Sequence, residues 1–165
     1  MADRYLLEIP PGSPQDIPEL SIDLFVTGAP LGSPDRIGEP EPLSYTPGQF
    51  ALIGGALTHR LSWSVACVLD EAAADQLAAL DRWQKRRYLD GLDGALLWTD
   101  EIAYTAPEPA TNLTRNITNA VATTYGMVKG HPQVKVFLTG LDRQPAGARY
   151  GGRKFACTFL ATELR

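Results

Sequence analysis

Few side chains in this chain of 165 residues have types and spacings that suggest catalysis. A serine nucleophile needs a base. The histidines are His59, in a predicted strand, and His131, before Pro132 in a predicted turn. The sequence has no Gly-x-Ser-x-Gly elbow and no Gly-x-x-x-x-Gly-Lys phosphate loop. An enzyme with a site assembled in space around His59 or His131 is therefore the weakest of three hypotheses.

The sequence has two pairs of neighbouring carboxylates, and their positions favour structural roles over acid–base catalysis. Asp90 and Asp93 lie in a glycine-flanked turn, where aspartate bonds to the backbone. Asp100 and Glu101 are adjacent in a predicted strand, so their side chains point to opposite faces. That is poor geometry for a shared acid–base site. We expect no catalytic residues.

Cysteine and histidine spacing predicts neither a metal site nor a cofactor. Cys67, Cys157, His59 and His131 are scattered without the spacing of zinc ligands. Both cysteines lie in apolar alternating strands and are predicted to be reduced, buried thiols. A disulfide between neighbouring strands is the alternative, and it would require an oxidising compartment.

Three tryptophans have two competing interpretations. Trp63, Trp83 and Trp98 lie on a predicted strand, helix and strand, respectively. If the helix packs against the strands, the three indoles share one core. The alternative is that the protein is a small-ligand or carbohydrate-binding β-domain whose binding site uses these rings.

Basic side chains occur at the end of the predicted helix and in a glycine-rich loop at 142–153. The loop leads into a strand rather than a helix N-terminus, so a hairpin loop is favoured over a phosphate site. A formal charge of −4 argues against a general nucleic-acid binder. We expect inter-subunit contacts at six residues: Arg86, Arg87, Arg143, Arg149, Arg153 and Lys154.

The elements that position these residues are clearest between residues 57 and 104. Residues 57–69 alternate between apolar and polar positions, which predicts a half-buried strand. Asp70 is a predicted N-cap, and an apolar stripe with helical spacing predicts a helix over 71–89. Basic residues and glycines mark its end, and residues 94–104 have the composition of another strand.

The first third of the chain is rich in proline. Nine of the thirteen prolines lie between Pro10 and Pro47, which excludes long helices and central strands there. One short strand is predicted at 21–27, and another at 49–53. Residues 1–50 are thus predicted to be a proline-rich arm with one short strand, with 10–47 as a further inter-subunit contact. Residues 51–165 are predicted to form a β-rich domain with one helix.

The last third predicts two closing strands, at 134–139 and 153–164. Residues 106–111 are a predicted break and 112–126 an irregular connection, with a short helix as the alternative. Phe137, Leu160 and Leu164 add apolar side chains to the outward faces of the closing strands. These faces need cover from the helix, the arm or another chain. The fold class is α+β, mainly β.

This order of elements resembles the tail-tube-like domain of bacteriophage tail proteins, especially tube initiators and distal-tail components of the baseplate hub. The likeness covers 57–104 and 130–165, including the terminal run Gly-Gly-Arg-Lys-Phe-Ala-Cys-Thr-Phe-Leu-Ala-Thr-Glu-Leu. It implies a β-sandwich or split barrel with one flanking helix, without catalysis. Such domains assemble into rings, commonly six-fold.

The resemblance also implies partners and a location. Copies of the chain would form the ring, other tail or baseplate proteins would contact it, and DNA would only pass through its lumen. The protein would reside in the virion tail after synthesis in the host cytoplasm. The chain shows no secretory signal and no apolar run of about 18 residues, so we expect no membrane partner.

Overall fold

The computed structural model describes residues 4–11, 21–25, 35–37, 60–102, 108–110, 115–147 and 152–164. Within these ranges the chain is mainly β with one α-helix, which confirms the predicted α+β class. The elements are β1 Arg4–Glu8, β2 Ser21–Phe25, β3 Asp35–Ile37, β4 Arg60–Asp70, α1 Glu71–Leu89, β5 Leu96–Asp100, β6 Glu108–Pro109, β7 Asn116–Ala122, β8 Met127–Pro145 and β9 Lys154–Glu163.

The strands form one antiparallel sheet in the order β2-β1-β5-β8-β9-β4-β3, and β6 and β7 also pair with β8. The 19-residue strand β8 is the central element of this sheet. It pairs with β5 and β6 along one edge and with β9 and β7 along the other. The first half of β8 and β7 therefore form a hairpin that continues beyond the end of β9.

The sheet bends so strongly that strands far apart in its order meet across the core. Trp63 of β4 and Trp98 of β5 have ring centroids 5.7 Å apart, although β8 and β9 lie between these strands. A flat sheet would separate them by three strand spacings, about 14 Å. In the described residues β2 and β3 are the ends of the strand order, so the curved sheet is split rather than closed.

The helix begins and ends where the sequence predicts, at Glu71 and Leu89. Its N-cap Asp70 accepts a hydrogen bond from the Ala73 amide through Oδ1 at 2.8 Å, which satisfies one of the free amides of the first turn. The helix then packs its apolar face, with Leu77 and Leu80 fully buried, onto the concave face of the sheet.

A buried glutamine joins the helix to the edge of β8. Gln84 is fully buried; its Nε2 donates to the Leu138 carbonyl at 3.0 Å, and its Oε1 accepts from the Leu138 amide at 2.9 Å. The side chain thus serves β8 as a strand partner just beyond the end of β5. Gly94 passes close by, since a Cβ there would lie 2.5 Å from the Gln84 carbonyl oxygen.

The N-terminal segment corrects the predicted arm. Strand β1 lies between β2 and β5, and Tyr5, Leu7 and Ile9 are buried in the core. Arg4–Glu8 is therefore part of the sheet, where a short apolar alternation holds it, and the prolines that follow obscured this pattern. The strand predicted at 21–27 is found at Ser21–Phe25. Most of the predicted arm, the strand at 49–53 and the domain boundary lie outside the described residues.

The region predicted as irregular at 112–126 contains strand β7 and a tight turn at Thr124–Gly126. Pairing with β8 is what makes β7 extended. His131 and Pro132 accordingly lie within β8, not in the predicted turn. Strand β8 also continues to Pro145, which shortens the loop predicted at 142–153.

Candidate assembly surface

The six predicted contact residues do not form one site. Arg153 and Arg143 lie near the start of the helix, with Arg153 3.9 Å from Glu71 and Arg143 2.6 Å from Asp75. Lys154 is exposed in the same region, opposite the N-cap residue in strand register. Arg86 lies about 22 Å further along the helix, given 1.5 Å per residue. Arg149 lies outside the described residues.

Arg87 is not a surface residue, which corrects its predicted role in subunit contact. It is 7% exposed, and its Nε donates to the Asp93 carbonyl at 2.8 Å. Its guanidinium also lies 5.3 Å from the ring centre of Trp83. Because these interactions use the side chain inside the subunit, Arg87 is unavailable to a neighbour.

Arg143 also makes contacts within its own subunit. Its guanidinium lies over the Phe155 ring at 3.9 Å and bonds to the Asp75 carboxylate. The side chain is 28% exposed. Arg86, at 81% exposure and with only a 3.9 Å ion pair to Asp90, is far more accessible to another molecule.

The three tryptophans lie in one buried cluster, as the common-core interpretation predicts. Trp98 stacks on Tyr5 at 4.7 Å, and Trp63 Nε1 donates to Asp100 Oδ2 at 2.8 Å. Burial, and then the charge of Asp100, raises the pKa of Tyr5 well above its ordinary value. Trp63, Trp83 and Trp98 are each at most 5% exposed, so none presents a face on which a sugar could stack.

The candidate acid–base groups occupy structural positions. Asp93 Oδ1 accepts from the Ala95 amide and Oδ2 from Lys135 Nζ at 3.0 Å, and these bonds lower the pKa of that carboxyl. Asp100 is 1% exposed and also accepts from the Ile102 amide. His131 is 4% exposed within β8, and His59 lies outside the described residues.

The cysteines are free, buried and directly opposite each other on β4 and β9. Burial, with a smaller contribution from Cys157, raises the pKa of the Cys67 thiol to about 12. Such a thiol is a poor nucleophile near neutral pH. Within the described ranges, no group of three or more His, Cys, Asp or Glu side chains has a geometry that would hold a metal ion.

Three exposed surfaces stand out instead, and the first is the convex face of β4 and β9. Val68 is 47% exposed and Leu160 38% exposed. The residues between them are small and uncharged: Ser64, Ala66, Ala156 and Thr158. We call this the outer sheet face. Leu160 was predicted to need cover on this face, because apolar residues occupy both faces of the closing strand.

The second surface follows the end of the helix. Tyr88, Leu89 and Leu92 are 69%, 83% and 50% exposed, and Tyr88 packs edge-on against Phe137 of β8 at 5.8 Å. We call Tyr88, Leu89 and Leu92 the helix-end patch. Sequence reasoning missed it because the glycines and basic residues nearby explained the helix end. The sequence did contain a signal for it, since Leu89 is apolar but lies outside the apolar stripe that faces the core.

The third surface is the tip of the β7–β8 hairpin. Tyr125 is 98% exposed and has φ +64° and ψ +32°, a left-handed conformation that is costly for a bulky residue. Gly126 has φ +70° as well, so two successive positions of the three-residue turn Thr124–Gly126 are left-handed. Val121 is 51% exposed on the same hairpin. We call Tyr125 and Val121 the hairpin tip.

A buried ion pair holds the base of this hairpin to the core. Arg115 precedes β7 and bonds through Nε and Nη2 to both oxygens of Glu163, each at 3.0 Å. The side chains are 11% and 7% exposed, and Glu163 Oε2 also accepts from the Leu61 amide at 2.8 Å. The pair fixes where the hairpin leaves the rest of the sheet.

Comparisons with models of protein families, with curated proteins and with solved structures gave no match to this chain. In the part of the chain that the structure describes, no helix combines the length and apolar character needed to cross a membrane.

Proposed function

We propose that this chain is a non-enzymatic structural subunit that assembles with copies of itself into a ring. The observation that carries this proposal is the outer sheet face. Charged and bulky polar side chains normally protect exposed sheet surfaces against association. Here the β4–β9 part of the face carries Val68 and Leu160 among alanine, serine and threonine, and its charged and bulky polar neighbours on β8, Asp142 and Gln144, lie along one side of it.

The wider role we propose is that of a phage tail component at the tip of the tail tube or in the baseplate hub. Its support is the resemblance in the order of elements and the mainly β fold with one helix at 71–89. In that role other tail or baseplate proteins would contact the ring. An acidic chain suits a lumen through which DNA passes, because like charges do not bind.

Buried side chains weigh against the rival functions. A carbohydrate platform would need accessible indoles, whereas all three are in the core. A catalytic His131 would need access to substrate, whereas this residue of β8 is buried. The exposed groups on the three surfaces are hydrocarbon and hydroxyl, which suit packing against protein.

The test is the mass of the purified full-length chain by native mass spectrometry, with negative-stain imaging of any ring. We expect a closed oligomer that Leu160→Lys dissociates, since a buried unpaired charge is costly at an interface. Gln76→Lys, on the exposed side of the helix, adds the same charge and should leave the oligomer intact. A wild-type chain that stays monomeric at high concentration would overturn the proposal.

A further inference from the structure

We infer that the hairpin tip of one copy docks on the helix-end patch of the next copy, giving a head-to-tail contact. This inference rests on the proposed assembly and identifies surfaces that the outer sheet face does not include. Its starting point is that the chain exposes two separate groups of large apolar side chains, Tyr125 with Val121 and Tyr88 with Leu89 and Leu92.

The two surfaces are too far apart to meet within one molecule. Phe137, which contacts Tyr88, and Met127, next to the tip, lie at opposite parts of the same strand. Ten residues of extended chain span roughly 33 Å. Because β8 is continuous over that distance, the tip and the patch face different neighbours. Two unlike surfaces on one rigid chain define a heterologous contact, which generates a ring when the rotation closes.

The hairpin tip exposes the aromatic ring of Tyr125 to solvent. A residue with φ +64° is normally glycine or asparagine, so a tyrosine there keeps a conformation that its side chain disfavours. Strain of this kind concentrates at functional positions. The ring is 98% exposed, so it contributes no burial energy to folding of the subunit. Tyrosine is, however, enriched among the residues that dominate binding energy at interfaces.

The hairpin carries little charge, and an exposed guanidinium lies beside the helix-end patch. Residues 116–134 contain a single charged side chain, Lys129, so the hairpin brings little desolvation cost to an interface. Beside the patch, Arg86 exposes 81% of its side chain. A guanidinium at this position is suited to stack on an incoming tyrosine ring. This gives Arg86 the inter-subunit role that Arg87, buried within the subunit, does not have.

Two variants separate the contact from folding. Tyr125→Asn removes the ring and places at φ +64° a residue that adopts the left-handed conformation more readily, so the hairpin itself should be at least as stable. Leu89→Lys replaces an exposed side chain with a cation, which the helix C-terminus favours. We expect each variant to weaken self-association at least tenfold by sedimentation equilibrium. Mixing the two should associate more strongly than either variant alone, because one partner keeps its patch and the other its tip.

A direct readout is photo-crosslinking from the tip. Replacing Tyr125 with p-benzoylphenylalanine in the full-length chain, mixed with isotope-labelled wild type, should crosslink to the peptide 86–92 of the labelled copy. The same probe at Gln76 should not. If wild type forms rings and both variants do so equally well, or if the crosslinks fall elsewhere, the docking is wrong while the proposed assembly stands. If wild type forms no oligomer, both are wrong.

Discussion

The helix-covered core and the β7–β8 hairpin are built on opposite principles. Residues 70–101 carry twelve charged side chains, and their Trp98 is fully buried among rings from other strands. Residues 116–134 carry one, and most of β7 is exposed. The first region buries its apolar side chains in the common core and exposes most of its charged ones. The second leaves uncharged surface in water, and this contrast is what the proposed docking rests on.

The largest difference between the regions should appear on truncating an apolar side chain in each. Trp98→Ala removes a fully buried ring that contacts Tyr5, Trp63 and Phe159, so we expect a loss of roughly 3–5 kcal/mol in the free energy of unfolding. Val121→Ala, in the hairpin, should cost less than about 0.5 kcal/mol. Urea denaturation measures both, and equal losses would show that the hairpin belongs to the cooperative core.

Breaking the ion pair that holds the base of the hairpin to the core should have the next largest effect. Arg115→Met leaves the Glu163 carboxylate buried with the Leu61 amide as its remaining described donor, and we expect a loss of about 3 kcal/mol. Adding Glu163→Gln should restore part of that loss, because the amide oxygen still accepts from Leu61. The free energies of unfolding of the single and double variants form the test, and no recovery in the double variant would contradict this account.

Alkaline pH should destabilise the core through Cys67. Its pKa is about 12 in the folded chain and 9.0 in the unfolded chain, so the unfolded chain loses its proton first as pH rises. The stability contributed by the thiol is complete below pH 9 and decreases by at most about 1.4 kcal/mol per pH unit above it. Chemical denaturation between pH 8 and pH 10.5 should show a shallower decline for Cys67→Ala. Equal slopes in the two proteins would exclude this thiol as the cause.

The smallest effect should have the opposite sign. Tyr125→Asn relieves the left-handed strain at the hairpin turn, so we expect a gain of about 0.5–1 kcal/mol in the free energy of unfolding. A thermal melt under conditions where the chain is monomeric separates this gain from loss of assembly. A lower melting temperature would mean that the tyrosine ring stabilises its own subunit.

Local signals in the sequence were sufficient for the helix. Asp70, the helical apolar stripe and the terminal glycines act over one or two turns, so the bounds at Glu71 and Leu89 could be predicted. The period of two also located β4 and β9, with Cys67 and Cys157 both inward-facing. The same patterning indicated a face of β9 that lacks cover, which is the basis of the proposed assembly.

Contacts between distant residues decided the rest. Trp63 meets Asp100 across 37 positions, Gln84 meets Leu138 across 54, and Leu61 meets Glu163 across 102. No periodicity encodes such pairs, because they depend on how far the sheet bends and which edge the helix covers. The tertiary structure therefore placed β1 inside the sheet and enclosed Arg87, and it separated the hairpin tip from the helix-end patch. The elements and their apolar faces could be predicted from the chain alone, since they follow from hydrogen bonds and side-chain directions within a few residues.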